Sequence, residues 1–481
     1  MVPIAPRRVA AIAAACAACS LLFFYNLAGV GMLGPDEPRY AAIGREMARS
    51  GDWVTPRLWG EAWFEKPPLL YWMTAAGFRA GLSDDLAPRL PVALLSAAFL
   101  LFYWRVLRRE FGSEAALLAT AILGTSAAWL AFSRIGVTDL PLAATYSAAM
   151  LLCLPWIKHG DRRWLAVAAA LLALAVLAKG LVPLVLALPA LWAGRRRLGD
   201  LLRPAPIALF FAIAAPWYIA ATILHGSAFV NEFFLRHHFA RFASDSLRHV
   251  QPFWFYIPVF IAALFPWSPV IAVLFRRALY KDPRARFLLL CVAFGLVFFS
   301  AASNKLPGYL LPLMPAAAAL AGLSLSQIEK PRVLAACALL VGLVPVVASV
   351  LPGALLRGIR RAGAGGIEWP LFLPFAALAV VVWWLAGRGR RTRAALAVAA
   401  ATVPAILWLE AATFPALDRT VSARALWREV AARRPELCVG GVNRGWRYNL
   451  NYYSVVPLPG CDAAPKPVRI EQPAGGAPTY R

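Results

Sequence analysis

Apolar residues run along this chain in long blocks rather than at helical or alternating spacing. Thirteen stretches are long enough, alone or as a hairpin, to cross a hydrocarbon core of about 20 helical residues. They lie at approximately 9–31, 88–107, 114–133, 140–157, 164–178, 180–194, 205–224, 253–275, 286–302, 309–326, 332–352, 370–387 and 393–413. The fifth and sixth are short and share the turn Ala178-Lys179-Gly180. The first follows Arg7 and Arg8 as a signal peptide would, but its run exceeds the usual ~7–15 residues and predicts an uncleaved anchor. The pattern therefore predicts an all-α polytopic membrane unit over 1–413. Three segments outside the spans are long: 32–87, 225–252 and 414–481. In the last, Val421–Arg433 has helical spacing and Leu437–Val442 reads as a strand, which predicts a small α/β domain or cap.

Composition supports a lipid-solvated chain. Of 481 residues, 61% are hydrophobic and only 15% charged, against about 25% charged in soluble domains. The net charge of +25 would suggest nucleic acid in a soluble protein. Here the cations fall in short clusters between apolar runs, which excludes a nucleic-acid partner and a disordered chain. With the N-terminus inside, the short inside connectors carry 23 Lys and Arg and the short outside ones 6. That asymmetry obeys the positive-inside rule and places the three long segments and the C-terminus outside. The seven cysteines show no CxxC or zinc-type spacing. Cys16, Cys19, Cys153, Cys291 and Cys337 sit in spans as packing residues. Cys438 and Cys461 are the pair outside, in an oxidising compartment, where a disulfide would contribute about 3 kcal/mol; two free thiols are the alternative.

The chemistry gathers outside. After the first span comes Gly34-Pro35-Asp36-Glu37-Pro38-Arg39-Tyr40, opening a helix to about Ser50. One acid can cap that helix, a role that suits Glu37. Asp36 is then left to take a proton from an attacking hydroxyl or to hold a nucleophile in place. Farther on, Glu65-Lys66-Pro67-Pro68 starts a helix whose free amino end and Lys66 charge suit a phosphate. A snorkelling lysine paired with Glu65 is the plainer alternative. The dozen apolar residues that follow are too few to span and would re-enter the membrane surface. Trp53, Trp59, Trp63, Phe64, Tyr71 and Trp72 read either as an interfacial belt or as stacking surfaces for a sugar or acyl chain. Asp139, in the turn after Arg134, shares the outside face with Asp36; it could simply cap its span. Lys179 and Lys305 reach the same face.

The 225–252 segment holds four of the five histidines, His225, His237, His238 and His249, and its Asn231–Phe242 stretch reads as an amphipathic interfacial helix. His237 and His238 point about 100° apart on a helix and make a poor metal pair unless Glu65 or another acid joins them. Arg236 and Arg241 suit phosphate oxygens, with lipid headgroups as the alternative.

Asp36-Glu37-x-Arg39-Tyr40, Ser50-Gly51-Asp52-Trp53 and Glu65-Lys66-Pro67-Pro68-Leu69-x-Tyr71-Trp72 together resemble the aminoarabinose-transferase-like branch of the protein O-mannosyltransferase superfamily. Phe234–Phe242 and Lys305–Tyr309 resemble later motifs, and the resemblance covers about 1–413. It implies a GT-C membrane glycosyltransferase with about thirteen transmembrane helices and juxtamembrane helices on the periplasmic face of a bacterial-type inner membrane. The implied partners are a polyprenyl-phosphate sugar donor, a lipid or glycolipid acceptor and membrane lipids, with no required cofactor. By similarity Asp36 and Asp139 match essential acids, with Glu37 a further candidate. Lys66, Arg241 and Tyr309 match positions around the donor phosphate, which Lys179 and Lys305 could join. Arg39, Tyr40, Glu65, His237 and His238 would support them. The 414–481 segment is shorter than in the lipid A aminoarabinose transferases. Aminoarabinose and a lipid A-like acceptor are the best match, with a protein acceptor, or a transporter or flippase, as alternatives.

Overall fold

The computed structural model describes residues 6–240, 251–358, 361–363, 366–367 and 369–481, with the backbone alone at residues 6–8, 11, 235 and 237–240. Arg241 and His249 lie outside the described residues. The chain is mainly helical. By length and apolarity, seven described helices could cross a membrane, or nine if two bent pairs each count as one span. Four shorter apolar helices, Ile12–Phe23, Ser113–Gly124, Leu165–Lys179 and Val182–Ala193, fall below span length. Each of the thirteen apolar stretches thus contains helix, but thirteen full spans are not what the helix lengths give. Gly180, at φ 76, makes the turn expected between the stretches 164–178 and 180–194. The 253–275 block bends by 116° between Phe253–Ala263 and Ser268–Leu274.

Burial sorts these helices. The apolar windows of Asp139–His159 and Pro307–Leu325 are 89% buried, whereas those of Pro204–Phe234 and Trp369–Gly387 are only 17% buried. The first two form the centre and the others face lipid. Lipid supplies no hydrophobic drive between helices, so contact depends on close packing of small residues. Gly322 shows how tight this is: a Cβ there would meet the Ala119 nitrogen at 2.5 Å.

Outside the bundle, the first long segment folds around the helix Asp36–Ser50. Gly51 ends that helix in the left-handed region (φ 73), donating its N–H to the Met47 carbonyl. A short hairpin pairs Arg57–Leu58 with Glu61–Ala62. The helix Leu69–Arg79 then packs back, so closely that a Cβ on Gly44 would sit 2.6 Å from Thr74.

The last long helix, Arg391–Thr420, runs past the expected end at 413. The helix expected at Val421–Arg433 shortens to Arg424–Val430, and the strand to Leu437–Val439. That strand runs parallel to Val468–Glu471, which pairs antiparallel with Thr479–Tyr480. Cys438 and Cys461 are joined by a disulfide, with Cα atoms 4.9 Å apart. The helix Arg444–Tyr453, capped by Asn443 accepting the Trp446 N–H, lies between this small sheet and the first loop.

Candidate active site

The start of the Asp36–Ser50 helix, the Glu65-Lys66 corner, the Thr138-Asp139 turn, the Lys179 break and the Asn304–Tyr309 turn converge on one cavity of about 360 Å³. Phe132, Ile135, Leu142, Val182, Phe298, Phe299 and Leu306 give it an apolar wall. Its polar groups are carboxylates faced by cations. Lys179 Nζ donates to Asp139 Oδ1 at 2.7 Å and lies 5.0 Å from the centre of the Tyr309 ring. Gly308 leaves room for that arrangement, since a Cβ there would meet Asp139 Oδ1 at 2.8 Å.

Arg39 organises the other side. It is buried, and its guanidinium donates from Nη1 to Glu65 Oε2 at 2.7 Å, from Nε to the Pro35 carbonyl at 3.1 Å, and from Nη2 to Asp36 Oδ1. Burial alone would lower its pKa. The Glu65 carboxylate, then Tyr40 and Asp36, more than reverse this, so Arg39 stays charged. The same burial, with Glu65 beside it, raises the Tyr40 and Tyr71 phenols well above their usual value and keeps both neutral. Asp36 keeps 45% of its side chain exposed while lining the cavity. Lys66 lines it too, 3.6 Å from Glu65 Oε1.

Glu37 departs from expectation. It neither caps the helix nor lines the cavity; successive helix positions point about 100° apart, so it turns inward as Asp36 turns outward. Its carboxylate accepts from Arg89 Nε and Nη2 at 2.7 and 2.8 Å, from the Leu33 N–H at 2.7 Å and from the Gly136 N–H at 2.9 Å. Arg89 donates further to the carbonyls of Leu27, Val30 and Gly31. Every strong site on the pair is spent, which fits a framework role rather than a catalytic one. Lys305 is also turned away. Its Nζ donates to the carbonyls of Ala302 (2.6 Å) and Gln251 (3.0 Å), and the residue is buried outside the cavity lining.

The first-loop aromatics are mostly built into the protein. Tyr71 is fully buried, Phe64 packs on Phe229, and Trp72 Nε1 donates to the Trp53 carbonyl. Arg236 pairs with Glu232 at 3.0 Å. Among the described residues no group of three His, Cys, Asp or Glu could hold a metal; Glu65 is occupied by Arg39, and the His237 and His238 side chains and Arg241 lie outside the described residues.

The sequence reading missed three contributors. Arg89 stands immediately before the helix Leu90–Phe111 and grips Glu37. Glu410 sits inside a span and pairs with Arg134 at 2.9 Å; an acid within a span is itself a signal. Tyr448 of the C-terminal unit places its ring centre 5.1 Å from the Arg39 guanidinium, and nothing in sequence joins the two.

Against known proteins, residues 65–220 match the family model described as dolichyl-phosphate-mannose-protein mannosyltransferase. The crystal structures of ArnT from Cupriavidus metallidurans superpose on nearly the whole chain. The complex with undecaprenyl phosphate gives a TM-score of 0.74 at 24% identity, over 96% of this chain and 93% of that one. The apo state gives 0.75, over 98% and 94%. The chain has the GT-C fold of ArnT. The undecaprenyl phosphate-alpha-4-amino-4-deoxy-L-arabinose arabinosyl transferase 2 of Pseudomonas fluorescens is 34% identical over 64% of this chain. The corresponding transferase of Pseudomonas savastanoi is 32% identical over 66%. The chain spans 55% and 61% of those two proteins' lengths. A multi-pass membrane protein of ArnT-type architecture is thus established by the fold and the apolar helices.

Proposed function

We propose that this chain is a glycosyltransferase moving a sugar from an undecaprenyl-phosphate-linked donor to a lipid or glycolipid acceptor. It works in a bacterial inner membrane with its cavity on the periplasmic face. The sugar is 4-amino-4-deoxy-L-arabinose, as the relatives' names support, and the acceptor is lipid A-like. The observation that carries the reading is the cavity itself, in which Asp36 and Asp139 face Lys66, Lys179 and Tyr309 beside an apolar wall.

A polyprenyl phosphate is a good leaving group once cations meet its charge. Lys66, at the amino end of the Leu69–Arg79 helix, holds that phosphate. The apolar wall of the cavity takes the first isoprene units. An acceptor oxygen then forms a bond to the anomeric carbon as the bond from that carbon to the phosphate oxygen breaks. With a hydroxyl acceptor, Asp36 receives the proton. With a phosphate acceptor no base is needed, and Asp36 orients the attacking group instead. Asp139, fixed by Lys179, sets the opposite side of the cavity.

The test is transfer by the purified chain in detergent. Given undecaprenyl-phosphate-aminoarabinose and lipid A, it should add one aminoarabinose mass to lipid A. Transfer to serine or threonine of a peptide instead would move the acceptor to protein. Lipid translocation in vesicles without transfer would replace the enzyme reading with a flippase. A periplasm-dependent reporter should be active when fused after Arg481 and silent after Arg391, and the reverse would overturn the periplasmic placement.

A further inference from the structure

The helix Arg444–Tyr453 presents one face to the first loop, at 445, 448, 449, 452 and 453, which are neighbours at helical spacing. Gly445 lies against Gly34 and Pro35, immediately before Asp36, where an added Cβ would come within 3.7 Å of both. Asn449 Nδ2 donates to the Gly34 carbonyl at 3.2 Å. The Tyr452 carbonyl accepts from Arg45 at 2.7 Å, and the Tyr453 hydroxyl accepts from the Met32 N–H and donates to Asp85, both at 2.8 Å. The C-terminal unit is therefore seated on the turn that delivers Asp36.

From that face Tyr448 reaches Arg39. Three of the five N–H donors of Arg39 go to Asp36, Glu65 and Pro35, and a ring that meets the guanidinium carbon competes for none of these bonds. Tyr40 and Trp63, from the first loop, lie 5.6 and 5.8 Å away, and Tyr448 lies at 5.1 Å. Tyr448 is itself held, stacked on Trp59 with ring centres 5.7 Å apart and its hydroxyl accepting from Arg444 Nε at 3.0 Å. A cation enclosed by rings and two carboxylates loses little on ordering and gains from desolvated cation–π contact.

We propose that Tyr448, supplied by the C-terminal unit, is a positioning residue of the cavity: its ring holds the Arg39 guanidinium, which fixes the Asp36 carboxylate. The site is then incomplete without the C-terminal unit. This inference rests on the reading of Asp36 as a group that acts in transfer.

The experiment compares four variants of the full chain for sugar transfer, undecaprenyl-phosphate binding and thermal unfolding. Tyr448→Leu should lower kcat about tenfold through a misplaced Asp36, with phosphate binding within about twofold of wild type. Tyr448→Phe keeps the ring and should restore transfer. Tyr453→Phe removes a docking contact away from Arg39 and should reduce thermal stability while transfer stays within about twofold. Wild-type turnover in Tyr448→Leu would overturn the proposal. So would a loss in Tyr453→Phe as large as in Tyr448→Leu, which would reduce Tyr448 to a docking residue. A Tyr448→Phe as impaired as Tyr448→Leu would contradict the role of the ring. Asp36→Asn separates the two claims: if it transfers normally, the catalytic reading fails, whereas an inactive Asp36→Asn beside an active Tyr448→Leu rejects only the role of Tyr448.

Discussion

The cavity and the framework behind it are both made of carboxylate–cation pairs, but they differ in exposure and in how fully each group is used. In the cavity, Asp36 keeps 45% of its side chain exposed and shares one oxygen with Arg39, and Asp139 meets Lys179 at 16% exposure. Behind it, Glu37 and Arg89 are 1% and 2% exposed, and all their strong hydrogen-bonding sites are taken by each other or by backbone. The Glu37–Arg89 pair fastens the entry to the Asp36 helix onto the loop that carries Asp139, through the Leu33 and Gly136 N–H groups. A saturated buried pair cannot take a proton or a ligand without breaking its own contacts. An exposed pair with one partner can. Adjacent acids in one dipeptide thus divide into a framework group and a reactive one by the side of the helix each occupies.

The comparison breaks most severely at the framework. Removing one member of a buried pair strands the other charge, so Glu37→Gln or Arg89→Met should cost about 3–5 kcal/mol of stability. Thermal or denaturant unfolding in detergent would read this, and a change under about 1 kcal/mol would mean the pair is not structural. Second in size, Cys438→Ser should destabilise the C-terminal unit by about 3 kcal/mol, seen as faster proteolysis beyond Thr420 with the bundle intact. Proteolysis unchanged from wild type would show that the crosslink adds nothing. Within the cavity, Lys66→Ala removes a charge-assisted contact to phosphate and should weaken undecaprenyl-phosphate binding and transfer by about ten- to a hundredfold. Normal binding would return Lys66 to being only the partner of Glu65. The smallest effect belongs to Lys305→Met. Its ammonium is spent on two carbonyls, so donor affinity should stay within about twofold, and a larger loss would place Lys305 in the cavity after all.

Much of this organisation was legible because it is local. The proline-rich entry and the Ser50-Gly51 stop bracket the Asp36–Ser50 helix, and the interrupted apolar run marks the Lys179 break that meets Asp139. The two cysteines outside the apolar blocks pointed to each other. What could not be read depends on distant partners. Glu37 looks like a helix cap until Arg89, 52 residues on, is seen to hold it. Lys305 looks like a phosphate ligand until loop carbonyls claim it. Run length also missed the 116° bend, which divides the 253–275 block that hydropathy alone joins.

The central claim is that Asp36 acts while Glu37 supports, and the direct test is undecaprenyl-phosphate binding and sugar transfer by Asp36→Asn in detergent. Asparagine keeps the shape and removes the charge, so the variant should fold and bind the phosphate nearly as wild type. Its transfer should fall at least about a hundredfold, the scale of a lost base or positioning group. Near-normal transfer by Asp36→Asn would contradict the account and move the reactive acid to Asp139.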